Sequence, residues 1–394
     1  MIWFLIAVIG FAVVYFFTPR KQIWIPFALL LIAFTVIAYH AVPAVSDDLF
    51  RYHNIIESLR WGGYDRLREM IENNEYDYGA LPVCGYYFYF ISLLPNNNYL
   101  SAITMFIVYA CMFHLLLKVA NRYDVGKLYL FVAAFFAIST YWYYDTCSGI
   151  RNGLAFAVAV VCIYYHFVEH KHILLCFIGY VLVCGLHSSG IVLVALAFIA
   201  WISWKNASKF INAMLIVGLA VSGAVLSVLS EMTDNHFIQT LAGKTERAAD
   251  GNFSLATNVM VNYVTFFIAV MIILYSFYYI KRYVSEKGDK TFFRFVEVLA
   301  FFMVGCLYSG LIFVRLTRWV IPVVAGITFM VGMQIQADKI NSGEIRADIR
   351  SGTPKGALFR MQSKGIFSLM IFVYSVVHLW YDCTGSSLIW LHCR

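Results

Sequence analysis

Uninterrupted apolar runs of about 17 to 22 residues recur along nearly the whole chain, each long enough to cross a hydrocarbon core of about 30 Å as a helix. The composition agrees. Of the 394 residues, 61% are hydrophobic and only 13% charged, against roughly one quarter charged in an ordinary soluble domain. No stretch shows the alternating polar and apolar pattern of a membrane-barrel strand. The fold class read from these runs is all-α: a polytopic integral membrane protein forming one membrane domain over residues 1–394.

Spans are expected at about 1–17, 23–41, 98–117, 128–145, 152–168, 173–186, 189–204, 210–229, 259–280, 292–310, 319–336 and 366–381, about 12 in all. The first run has no positive residue ahead of it and no small-residue cleavage site after it, so it reads as an uncleaved span. Placing the N-terminus outside puts most of the 29 basic residues in cytoplasmic connections, as the positive-inside rule requires. The net charge of +7 is therefore read as an orientation signal, and no nucleic-acid partner is expected.

The stretch LPVCGYYFYFISLL at 81–94 is apolar but short, and it is bounded by Pro82 and Pro95. It is expected to form a short re-entrant or interfacial helix, rich in tyrosine as interface segments are. In the outer loop 42–97, Tyr52, Ile55, Ile56 and Leu59 share one helical face, Gly62 and Gly63 interrupt, and Leu67, Met70 and Ile71 share another. Residues 230–258 form a second outer loop or flap, and 337–365 a solvated cytoplasmic loop. No internal repeat is evident. The nine cysteines show no CxxC pair and no zinc spacing; Cys383 and Cys393 share the outer tail, where a disulfide is chemically open to them.

Polar residues gather at the outer ends of these spans. They are Asp47, Asp48 and Arg51; Asp145, Arg151 and Asn152; His187, Ser188 and Ser189; and Arg315 with Arg318. Charged groups at the edge of hydrocarbon persist where they face a bundle interior or a wet cavity. Each also has a plainer reading. Arg315 and Arg318 can snorkel to headgroups, Asp48 can cap the helix beginning near Leu49, and His187 can be a buried structural histidine. Arg151 opens a helix, where a cation opposes the dipole but an anion would be welcome. Glu297 follows Arg294 by three residues and is expected to pair with it. His114, His166 and His378 are isolated in their spans.

Guanidinium forks together with carboxylate or imidazole groups at one membrane face suit an anionic lipid-linked substrate, the arginines binding phosphate and a base taking a hydroxyl proton. The string Asp48-Leu-Phe-Arg51-Tyr52, the Tyr78–Pro82 stretch before a short aromatic helix, GIRNGLA at Gly149–Ala155, LHSSG at Leu186–Gly190 and the late Arg315 and Arg318 resemble, in order and type, the EpsG-like family of bacterial polysaccharide polymerases, relatives of the Wzy O-antigen polymerases. The resemblance runs to about residue 335.

It implies a glycosyltransferase acting on undecaprenyl-pyrophosphate-linked oligosaccharide as donor and acceptor, at the periplasmic or outer face of the cytoplasmic membrane. The product would be a capsular, exopolysaccharide or O-antigen chain. Membrane lipid and a chain-length regulator protein would be further partners. On this reading Arg151, Arg315 and Arg318 hold the pyrophosphate, Asp48 or His187 is the general base, and Asp47 and Arg51 orient it. Asn152, Tyr52 and Ser188 complete the substrate-binding set. No metal and no cofactor are expected. A GT-C-like architecture is a fold-level analogy through the acid after an early span. The competing readings are a flippase or transporter for the same lipid-linked sugar, and a glycan ligase or acyltransferase.

Overall fold

The computed structural model describes residues 2–45, 47–202, 228, 231–232, 239, 259–307, 311–342 and 365–384. Among these every regular element is helical. In chain order they are α1 (Ile2–Phe17), α2 (Trp24–Tyr39), α3 (Asp48–Glu72), α4 (Pro82–Ser92), α5 (Tyr99–Arg122), α6 (Lys127–Thr140), α7 (Tyr143–Ser148), α8 (Ile150–Tyr164), α9 (Ile173–Leu186) and α10 (Ser188–Ile202). After the gap come α11 (Val259–Tyr283), α12 (Lys287–Gly305), α13 (Leu311–Trp319), α14 (Ile321–Asn341) and α15 (Ile366–Thr384).

Among the described residues six stretches are helical, long and apolar enough to cross a membrane: Arg20–Tyr39, Tyr99–Arg122, Ile150–Glu169, Met260–Tyr283, Ile321–Asn341 and Ile366–Thr384. Helices α1, α6, α9 and α10 are apolar but shorter. The protein is a multi-pass helical membrane protein. The expected span 210–229, the flap 230–258 save isolated residues, most of the loop 337–365, and Cys393 lie outside the described residues.

Helices run up and down between two ends. Phe4 of α1 stacks on Phe34 near the end of α2, while Tyr15 near the end of α1 meets Phe27 near the start of α2, so the two are antiparallel. Between helices in lipid, where burial of apolar surface supplies no drive, such ring packing and inter-helix polar contacts hold the bundle. Helix α14 is the most enclosed, packed along α11 and α6, with α15 against α6 and α5 between α2 and α8. At one end, Lys127 donates to the carbonyls of Phe16 and Thr18 at 2.8 Å, and Arg122 grips buried Asp289 at 3.0 Å and also pairs with Glu286. The Arg122 charge is thereby neutralised within the bundle.

The other end is built from broken helices. The expected span 128–145 stops at Thr140, and Trp142 leaves the helical region entirely, with φ 3° and ψ 87°. Helix α7 then restarts, anchored by Tyr143, whose hydroxyl donates to the Phe34 carbonyl at 2.8 Å and whose ring lies 4.7 Å from Phe4. Helices α7 and α8 meet at Gly149, where a Cβ would lie 2.6 Å from the Asp145 carbonyl oxygen and 3.0 Å from the Trp319 ring. Non-helical backbone at such depth persists where protein encloses it or where it lines a cavity.

Helix α3 buries Leu49, Tyr52, Ile55, Ile56, Leu59, Leu67 and Met70, the two faces read from the sequence. It kinks at Gly63, with φ 62° and ψ −150°, a conformation open essentially to glycine alone. Helix α4 has 11 residues, so it spans only about 16 Å and is too short to cross. Two expectations are corrected. Glu297 accepts from Lys281 of the preceding helix at 2.8 Å, because α11 presents that lysine directly, and Arg294 is left without it. His378 is not isolated: it faces Asp382 one turn on.

Candidate functional site

The first wall of the site is the start of α3. Asp47 is the residue before the first helical turn, but its side chain turns back to accept from the Ala44 N–H at 2.8 Å, closing the approach loop instead of capping the helix. Asp48 is the first helical residue and pairs with Arg51 at 2.9 Å. Both side chains are about half exposed, 55% and 49%, so this pair is a soft tether and the Asp48 carboxylate stays accessible. The Leu49 N–H donates to Ser148 Oγ at 3.4 Å, tying α3 to the end of α7.

Behind Asp48 sits Tyr52, buried against Phe88 of α4. Two guanidinium groups lie over its ring, Arg51 at 5.3 Å and Arg151 at 5.7 Å. Tyr52 thus serves as a platform for cations, and burial raises its hydroxyl above the usual tyrosine value while Arg151 opposes that. Tyr78, fully buried, stands beside it and is likewise raised by burial.

Arg151 and Asn152 are in the first turn of α8, whose leading N–H groups lend the spot a positive potential. Arg151 reaches the Tyr76 carbonyl only at 3.5 Å, and its Nε is buried without a partner. Asn152 Oδ1 is buried and unpartnered too. Among the described residues no carboxylate pairs with Arg151.

Helix α13 delivers two arginines three residues apart, and they are used differently. Arg315 donates to Ser189 Oγ at 3.3 Å and has no acidic partner among the described residues. Burial and the like charge of Arg151 push its guanidinium down to about 10, so it is still a cation at neutral pH but an uncomfortable one. Arg318 is instead committed to Asp145 in a close ion pair, lies 4.4 Å over the Trp142 ring and donates to Asn262 Oδ1 at 3.3 Å. The Asp145 carboxyl is raised by burial, against the pull of Arg318, and raised further by Asp47 and Asp48.

His187, buried, ends α9 in extended conformation, and its Nδ1 accepts the Ser189 N–H at 3.0 Å. It therefore caps α10 in the manner of an asparagine, with Ser188 buried beside it in the first turn.

The EpsG family model matches residues 23–341. The chain belongs to the EpsG family. No curated protein and no solved structure matches it. EpsG membership identifies a polysaccharide-polymerase-like membrane protein, a family associated with glycosyltransferase-like polymerase activity. The match takes in every cluster described above, from Asp47 to Arg318.

Tyr52 lies within electrostatic reach of Asp48, Arg51, Arg151 and Arg315, and Asp145 within reach of Arg318, Asp47 and Asp48, so the two groups meet at Asp48. Asp145 and Tyr78 were noted from the sequence without being given a role, and Trp142 was not singled out. A break after Thr140 would have had to be read from YWYYD, which instead looks like a continuing aromatic span end. Also missed was the His378–Asp382 pair, for which the signal existed: two ionisable residues at i and i+4 in an otherwise apolar helix.

Proposed function

We propose that this chain is a membrane glycosyltransferase that polymerises undecaprenyl-pyrophosphate-linked oligosaccharide repeat units, with its reaction centre at the outer ends of a bundle of about 12 spans. The observation that carries the reading is the contrast among its arginines. Arg318 is neutralised by Asp145, whereas Arg151 and Arg315 hold partly buried positive charge with no carboxylate paired to them among the described residues. Isolated buried cations are costly, and a diphosphate bound between them offsets that cost through charge-assisted hydrogen bonds.

In the proposed reaction the acceptor sugar hydroxyl gives its proton to Asp48, its oxygen bonds to the anomeric carbon of the donor, and the bond from that carbon to the pyrophosphate oxygen breaks. The leaving lipid pyrophosphate takes the electron pair and is held by Arg151 and Arg315, at the positive end of α8. Arg51 orients Asp48, and Asn152 Oδ1 is placed to accept a sugar hydroxyl. Asp48 suits the base role better than His187, because it is exposed while the His187 Nδ1 lone pair is occupied by Ser189. Two guanidinium groups supply the charge neutralisation for which a metal would otherwise serve, so the reaction is proposed to be metal-independent.

The purified protein, given a single lipid-linked repeat unit extracted from producing cells, should convert it into a ladder of longer glycans on the lipid. A unit that crosses a vesicle bilayer without lengthening would establish a transporter, and one passed to a non-carbohydrate acceptor a ligase.

A further inference from the structure

Helix α15 lies beyond the segment matched by the family model. It turns an apolar face outward, with Leu369, Met370, Val373, Val377 and Trp380 exposed. The opposite face buries Ser375, His378 and Asp382. His378 Nδ1 stands 3.8 Å from Asp382 Oδ2, while both ring nitrogens and Asp382 Oδ1 are buried without hydrogen-bond partners. Ionisable groups kept inside such a helix are expensive and mark function more often than packing.

Their neighbours indicate what that function is. The His378 ring meets the Trp142 indole edge-on, centroids 5.7 Å apart at 87°. Trp142 is the surface on which Arg318 lies, and Arg318 is the partner of Asp145. Asp382 stands within electrostatic reach of both. A continuous stack therefore runs from the last helix through Trp142 and Arg318 to the end of the bundle where Arg151 and Arg315 sit with no carboxylate partner among the described residues.

We propose that His378 and Asp382 are positioning residues: His378 is the wedge behind Trp142, the ring on which Arg318 lies, and Asp382, one turn on, holds His378 in place. Together they fix Arg318, and with it the helix α13 that presents Arg315 one turn earlier. The inference rests on the polymerase reading above. Held by Asp145 and by the Trp142 ring, Arg318 does not swing to the phosphates, which leaves binding to Arg151 and Arg315. The pair should then govern turnover more than anion affinity.

The test uses the full chain in detergent, with the extracted lipid-linked repeat unit as substrate and inorganic pyrophosphate as the binding probe. D382N should lower turnover on the order of tenfold, with KM and pyrophosphate affinity within about twofold of wild type. D382E should keep at least about a third of the turnover, and in an R318Q background D382N should add less than about a twofold loss. H378N compared with H378N/R318Q repeats the cycle should D382N fail to fold. Full turnover in D382N and H378N, equal losses in both backgrounds, or a loss confined to pyrophosphate affinity would overturn the assignment. A wild-type protein that neither binds pyrophosphate nor lengthens the unit brings down the polymerase reading and this inference together. Wild-type activity with additive losses removes the inference alone.

Discussion

Replacing Arg151 with glutamine separates binding from architecture more sharply than any other single change. The side chain is partly buried, its Nε is enclosed without a partner, its contact with the Tyr76 carbonyl is at 3.5 Å, and no acid among the described residues offsets its charge. What holds it is the Tyr52 ring at 5.7 Å, a cation–π contact worth about 0.5–2 kcal/mol. A partly desolvated cation without a counter-ion is itself costly, so losing the charge should relieve at least about as much as it removes. R151Q is therefore expected to reach the membrane at wild-type levels, with an unfolding temperature in detergent equal to or above that of wild type. Polymer output should meanwhile collapse. Removing one preorganised donor from a developing anion costs about 2.7–4 kcal/mol, or two to three orders of magnitude in turnover. The assay pairs a thermal melt with gel analysis of lipid-linked glycan, alone and with added inorganic pyrophosphate, which should stabilise wild type but not R151Q. A variant that is destabilised while still making a normal ladder would show that Arg151 is structural, and the argument from unpaired cations would fall with it.

Asp145→Asn should do the opposite, lowering stability by about 3–5 kcal/mol because it strands Arg318 beside Trp142; the D145N/R318Q double variant should recover much of that loss in the same melt. His187→Asn keeps a side chain able to accept the Ser189 N–H, so H187N should retain fold and at least about half of its turnover, whereas Asp48→Asn should abolish turnover with pyrophosphate binding intact. A dead H187N with native stability would move the base from Asp48 to His187. Gly63→Ala forces a side chain into φ 62°, ψ −150°, and should cost about 1–3 kcal/mol, read as a lower unfolding temperature. Chelation by EDTA should leave the turnover of the purified protein unchanged, and a loss restored by a divalent cation would end the metal-independent proposal.

The helical membrane class, the amphipathic α3 with its break at Gly62 and Gly63, and the short α4 were all legible in the residues, because apolar run length and period are local properties of a chain. The clusters at the span ends were legible too, since a charge at the edge of an apolar run is conspicuous wherever it folds. What could not be read was partnership. Arg315 and Arg318 are three residues apart in one helix and look interchangeable, yet Arg318 meets Asp145 and Arg315 meets Ser189. That difference is made by the break at Trp142, which returns α7 over the site, and by α15, which brings His378 and Asp382 up behind it. Periodicity and composition report how each segment meets lipid, whereas the choice of counter-ion depends on distances between segments tens or hundreds of residues apart. Those distances exist only once the helices have packed.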